Sequence, residues 1–263
     1  MSSSAATFRL LGVPVRLLEA ASEQWNGMIR EYALRAMSGA VQPYGLDEIT
    51  RASNALAAIC AAVPTGSDAV DVDVAYEQPA DFSVLQGVLD AVAHLSGTED
   101  VLVLPSLPEV IALRNWMCQQ VADQHAGGPA VPWRLDSSGD DAAVTVVLEW
   151  DRTLTPEQAA AWIVGDDHNR IVAASEGALA LLGWTEAELV GQRLLVVIPQ
   201  RLREAHIAGF TRSVVNGGGP ALGTPLSVPA LARDGSEIPV VLTLTRHAAR
   251  AGRHVYLGRL EPR

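Results

Sequence analysis

Two runs of alternating side chains flank the tetrapeptide Arg233-Asp234-Gly235-Ser236. An Asp-Gly pair suits the positive-φ backbone of a tight turn, so residues 223–231 and 238–245 are expected to pair as an antiparallel hairpin. Val240, Leu242 and Leu244 alternate with Val241 and Thr243, the pattern of a sheet with one covered face. Three further short runs, 161–164, 171–174 and 253–260, read as strands, the first two joined by the turn Asp166-Asp167-His168-Asn169-Arg170. The last hundred residues are therefore expected to hold five strands.

Short helices are expected between these strands. Thr185 with Glu188 reads as a capping box that restarts the chain after Gly183. A longer helix is expected over 201–215. Taken in order, Ser175-Glu176-Gly177-Ala178-Leu179-Ala180-Leu181-Leu182-Gly183-Trp184 resembles the N-x-A-x-x-x-L-G-Y/W segment of the PAS family. Thr185 to Gly191 resembles its T-x-x-E-L-x-G continuation, and Leu194 to Pro199 its lead into the long helix. Ser175 departs from the pattern, where the family usually has Asn. The resemblance covers residues 162–261 and implies a cupped sheet closed by small helices, with a sensory or regulatory role.

The resemblance also implies where a ligand would sit, between the sheet and the long helix. Leu202, His206 and Phe210 fall on one helix face at i, i+4 and i+8. With Ile198 and Leu226 they form the expected pocket. Arg203-Glu-Ala-His206-Ile-Ala-Gly209-Phe210 is similar to the long helix of haem-binding oxygen sensors, in which the matching histidine is the proximal iron ligand. That similarity makes a haem-based gas or redox sensor, with His206 on the metal, an alternative reading. The distal arginine of those sensors falls on apolar Leu226. A flavin–cysteine adduct is excluded, because no cysteine follows Cys118. Asp166-Asp167 is expected to be a solvated turn, and His168, His247 and His254 exposed polar residues.

Residues 1–134 read as a mostly helical domain with short strands. Helical spacing runs over 15–37, 46–63, 81–95 and 107–124, the last with Ser106 as N-cap and Pro108 in its first turn. Val70, Val72 and Val74 alternate with Asp71 and Asp73, which predicts a half-buried strand over 69–76. Residues 8–14 start extended, and 101–104 read as a short strand. Residues 135–155 read as a linker, and Thr155-Pro156-Glu157-Gln158 as the capped start of a lead-in helix. Trp133 and Trp150 are expected to anchor the linker or a dimer contact. The class is thus α+β, with a mostly helical α/β domain before a PAS domain at 156–263. The first domain faintly resembles regulatory modules that accompany stress signalling in high-G+C bacteria.

Charge narrows the chemistry. All 19 basic residues are arginine, so lysine-based catalysis is absent. Residues 1–150 carry seven arginines against nineteen acids, a net charge of −12, which repels phosphate backbones. The two cysteines, Cys60 and Cys118, are expected to be reduced and buried. No apolar run reaches bilayer length and no signal peptide is evident, so a cytoplasmic protein without nucleic-acid or membrane partners is expected. With no metal motif, nucleophile elbow or phosphate loop, it is expected not to be an enzyme. It should act through another signalling protein, with homodimerisation through the PAS domain as an option. An unfamiliar N-terminal active site and a pure dimerisation scaffold are the competing readings.

Overall fold

A computed structural model describes residues 5–64, 66, 69–95, 106–135, 148–219, 221–250 and 253–263. The chain divides into two compact units. One comprises Met1–Asp136 with Ile207–Val215, the other Ser137–His206 with Asn216–Arg263. The expected strand at 101–104 and most of the expected linker lie outside the described residues.

In the first unit, β1 (Ala6–Pro14) pairs antiparallel with β2 (Ala69–Tyr76). Alternation decides which face is covered: Phe8 lies opposite Val74 and Leu10 opposite Val72, all four buried, while Asp71 and Asp73 face solvent. The register shifts between Leu10 and Val13, where Gly12 takes φ 69° and its N–H donates to Asp71 Oδ1 at 2.8 Å. Helices α1 (Val15–Met37), α2 (Leu46–Ala62), α3 (Ala80–Leu95) and α4 (Pro108–His125) follow the expected apolar spacing. Trp25, Tyr32, Ile59, Leu89 and Leu113 are among the buried side chains they contribute. α3 buries Asp81 against Arg51, Nε to Oδ1 at 2.7 Å, and the Tyr76 hydroxyl donates to its other oxygen at 3.1 Å.

Ser106 does not cap α4. Leu107 occupies the N-cap without a side-chain bond, and Ser106 Oγ instead faces Met28 Sδ at 3.7 Å. Proline in the first turn lacks an N–H, so a cap has less to satisfy there. Trp133 sits 5.6 Å from Trp116 between ring centroids, and its N–H donates to Leu11 O at 2.9 Å, anchoring the strand-like segment after α4. Cys118 is buried and Cys60 half-buried, both free. Burial pushes the Cys118 thiol up to about 12.

The second unit is a five-stranded antiparallel sheet, spatial order β4-β3-β7-β6-β5. Its strands are β3 (Trp162–Asp166), β4 (Ile171–Ala174), β5 (Leu226–Leu231), β6 (Glu237–Ala248) and β7 (His254–Pro262). Between them come α5 (Glu176–Leu182), α6 (Glu186–Leu189) and α7 (Arg203–Val215). The expected hairpin is present, with Leu231 opposite Glu237, and Asp234 Oδ1 accepting the Ser236 N–H at 2.9 Å. One core gathers Ile163, Val240, Leu260 and Ala230 with Ala178, Leu182, Leu189 and Val197 of the short helices and turns. A second holds Trp162, Val164, Val255 and Leu257, with Leu148 and Trp150 packed against it.

The lead-in helix at Thr155 is not formed. Asp151 caps a single 3-10 turn, Arg152–Leu154, and a further turn follows, closed by the Ala160 N–H donating to Glu157 O at 3.0 Å. A Cβ on Gly177 would lie 2.4 Å from Ala159 O, so this segment runs hard against the α5 N-terminus. Ser175 makes the junction. Its hydroxyl accepts the Trp162 and Ala178 N–H groups at 2.9 and 3.0 Å and donates to Ala160 O at 2.6 Å. Serine thus supplies both the cap and the strand contact at the position where the sequence departs from the family pattern.

Candidate functional site

The β3–β4 turn is the organising point of the second unit. Asp166 Oδ1 accepts the N–H groups of His168 and Arg170 at 3.0 and 2.8 Å, which closes the turn. The turn then needs one residue in the left-handed region, and Asn169 takes it at φ 61°, the one non-glycine positive φ among the described residues. Asn169 is fully buried. Its carbonyl accepts the Leu194 N–H at 2.8 Å. Its side-chain oxygen accepts from His206 Nε2–H at 2.9 Å. One asparagine therefore ties the first hairpin to the 3-10 turn Leu194–Val197 and to α7.

His206 is half-buried by surface area, yet its ring is withdrawn from water. Burial, reinforced by the Arg193 guanidinium, pushes its pKa down to about 4. The imidazole is accordingly neutral at pH 7, in the tautomer that can donate from Nε2. Asn169 Nδ2 is buried with no hydrogen-bond partner.

Asp166 and Asp167 are not the solvated pair the sequence suggested. Both are buried. Arg253 Nε donates to Asp167 Oδ1 at 2.9 Å, and its Nη2 donates to Asp166 Oδ2 at 3.1 Å. His168 Nδ1 lies 3.1 Å from Asp167 Oδ1, and the His254 N–H reaches Asp167 Oδ2 at 3.3 Å. Burial alone would raise the Asp167 pKa, but the His168 and Arg253 hydrogen bonds outweigh it and hold the carboxyl well below the usual carboxylate range. Donor atoms of Asp166, Asp167 and His168 lie within 4.8 Å of one another, close enough for a cation. Arg253 already supplies the positive charge that such a cation would bring.

His254 is also not an exposed strand end. It is half-buried, and its Nε2 accepts from Arg246 Nη2 at 2.7 Å. His168 is exposed, as expected, with 45% of its side chain accessible, whereas His247 is half-buried like His254, its Nε2 2.8 Å from Thr245 Oγ1.

Glycines mark where the sheet is most tightly covered. A Cβ on Gly165 would lie 2.5 Å from Leu194 Cδ1, and one on Gly258 would lie 3.1 and 3.3 Å from methyl carbons of Leu242 and Leu244. Leucine side chains fill the space over both positions.

No family model matches the chain. A curated but uncharacterised protein of Azorhizobium caulinodans is 30% identical over 123 residues, which span 46% of this chain and only 16% of that protein. Among solved structures, the PAS domain of the fruit-fly ELK potassium channel is 16% identical over 42% of this chain and 91% of its own, TM-score 0.34. The PAS domain of an HTR-like protein from Haloarcula marismortui is 18% identical over 40% and 86%, TM-score 0.30. A PAS domain from Desulfitobacterium hafniense is 14% identical over 40% and 93%, TM-score 0.33. In this chain itself, five antiparallel strands hold short helices over the core built on Ile163, Val240 and Leu260, in the order the motifs implied. The C-terminal unit has a PAS fold.

Within the PAS fold the expected pocket residues are only partly gathered. Ile198 packs on the inner core, and Leu226 opens β5 opposite Leu242. Leu202 ends a 3-10 turn, Gln200–Leu202, that precedes α7, so the long helix starts two residues later than expected. His206 belongs to the PAS unit, whereas Phe210 is grouped with the first unit. An iron ligand at His206 Nε2 would have to displace Asn169. The residues that sequence reading left out are Asn169, Arg193, Asp167, Arg253 and Arg246. The Asp-Asp-His-Asn-Arg turn was visible as a turn, but its partners lie up to 87 residues away along the chain.

Proposed function

We propose that this chain is a sensory or regulatory protein. Its PAS unit responds to a small ligand or to self-association, and it signals through a partner protein. The observation that carries this reading is the part-buried hydrogen bond from His206 to Asn169. It fastens α7 to the turn that the whole first hairpin depends on. A change of packing anywhere along that turn is felt by the helix through one polar contact, which is the kind of two-state joint a ligand can bias. Binding and signalling, and not catalysis, is the role assigned to the chain. The first unit, with its excess of acidic residues, is given the output role.

Hydrogen exchange across Arg203–Val215, read together with partner recovery from the source organism, tests this in the full chain. His206→Leu is expected to speed exchange throughout α7 and to alter which partners are recovered. Unchanged exchange beyond the first turn, with unchanged recovery, would end the proposal.

A further inference from the structure

Beyond this junction the PAS unit carries an open groove of about 730 Å³ at the far end of β6 and β7. Its walls include Gly217, Leu222, Leu244, Arg246, Ala248 and His254. Among the described residues no acidic side chain lines it. Leu244, Arg246 and Ala248 share one face of β6 by alternation, the face that carries Val240 and Leu242 into the inner core. The groove is thus a polar continuation of the covered side of the sheet.

Arg246 sets its chemistry. One terminal nitrogen donates to Gly217 O and the other to His254 Nε2 at 2.7 Å. Nε is buried and has no hydrogen-bond partner. Among the described residues no carboxylate pairs with this guanidinium. A buried donor without an acceptor is costly, and so is a partly buried charge without a counter-charge. Two neutral acceptors hold the fork in place and leave its charge without a counter-charge.

We infer that this groove binds a small monocarboxylate with an apolar body, its carboxylate paired with the Arg246 guanidinium and its chain lying against Leu222, Leu244 and Ala248. One guanidinium matches one carboxylate charge and its planar geometry. Burial and the neighbouring Arg246 lower the His254 pKa, and Asp167 opposes this only in part, so His254 adds no second charge at neutral pH. A multiply charged phosphate would lack a second cation. The volume suits a small organic acid. This inference goes beyond the signalling role and does not depend on it.

Calorimetric titration of the full chain with hexanoate, with inorganic phosphate as the rival anion, tests the site. Hexanoate is expected to bind, at least tenfold more weakly to Arg246→Gln, and phosphate not to compete. Ala248→Trp leaves Arg246 in place and fills the groove from an exposed position, so it is expected to block hexanoate in a chain that folds normally. Arg259→Gln, on the same sheet but paired with Glu261, is expected to bind like the parent. Absence of hexanoate binding overturns the inference. So does binding that survives both Arg246→Gln and Ala248→Trp, or tighter binding of phosphate than of hexanoate.

Discussion

His206 donates from Nε2 to the side-chain oxygen of Asn169 across 37 residues of sequence, at 2.9 Å. Asn169 holds the only non-glycine left-handed backbone among the described residues. The side chain that tolerates that conformation is therefore the one that receives the long helix.

Replacing Asn169 separates the two roles. Asn169→Gly keeps the backbone comfortable and loses the acceptor, whereas Asn169→Ala loses the acceptor and adds left-handed strain. Both are expected to destabilise, with alanine worse by about 1 kcal/mol. Chemical denaturation of the two variants checks the order; glycine at or below alanine would refute the strain component.

The pH response follows from His206. Its folded pKa of about 4 lies below the ordinary 6.5. The unfolded chain therefore binds the proton more readily, and stability is full above pH 6.5 and falls as pH drops towards 4. The loss is roughly 2 kcal/mol once the residue's partial exposure is allowed for. Denaturation midpoints from pH 7.5 to 4 should show this slope, and His206→Gln, which still donates to Asn169, should flatten it.

Asp167 and Arg253 should behave as a coupled pair. Arg253→Met leaves a buried carboxylate without its main partner and is expected to cost about 3 kcal/mol. Asp167→Asn should cost less, because Asp166 remains to Arg253. In the double variant the losses should not add, with a coupling of about 1–3 kcal/mol measurable by a double-mutant cycle. The depressed Asp167 pKa means its contribution is present above the ordinary value of 3.8 and drains away as pH falls below it.

Two glycines distinguish backbone from side-chain crowding. Gly177→Ala drives a methyl into the Ala159 carbonyl, which cannot step aside, and is expected to cost about 2–3 kcal/mol. Gly165→Ala meets only the end of the Leu194 side chain, which can rotate, so it should cost about half as much. Thermal melting of both variants orders them.

Ser175→Ala removes an acceptor for two N–H groups and a donor to Ala160 O. Its expected cost is about 2 kcal/mol, the upper end for a helix cap, because the site is buried. A change within a few tenths of the parent would mean that the Trp162 and Ala178 N–H groups find other acceptors.

Local chemistry made much of this molecule legible. Ala69–Tyr76 falls where alternation placed it, and Ile171–Ala174 where the PAS resemblance did. The Asp-Gly hairpin and the Thr185–Glu188 capping box are present as read. These features depend on neighbours within a few residues, so the sequence alone carries them. The lead-in helix is the opposite case: the Thr155 hydroxyl donates back to Arg152 O instead of capping a helix, and the segment packs against α5 at Ala159.

What the amino-acid order determined by itself is the set of strands, caps and turns, and through them the PAS fold. What only the tertiary structure decided is which polar groups left water together. Asp167 was indistinguishable from a solvated turn residue until Arg253 arrived from 86 positions away, and Arg246 from any strand arginine until Gly217 and His254 took its terminal nitrogens. Hydrogen bonds and charges acquire their strength from burial, and burial belongs to the folded chain and to no residue on its own.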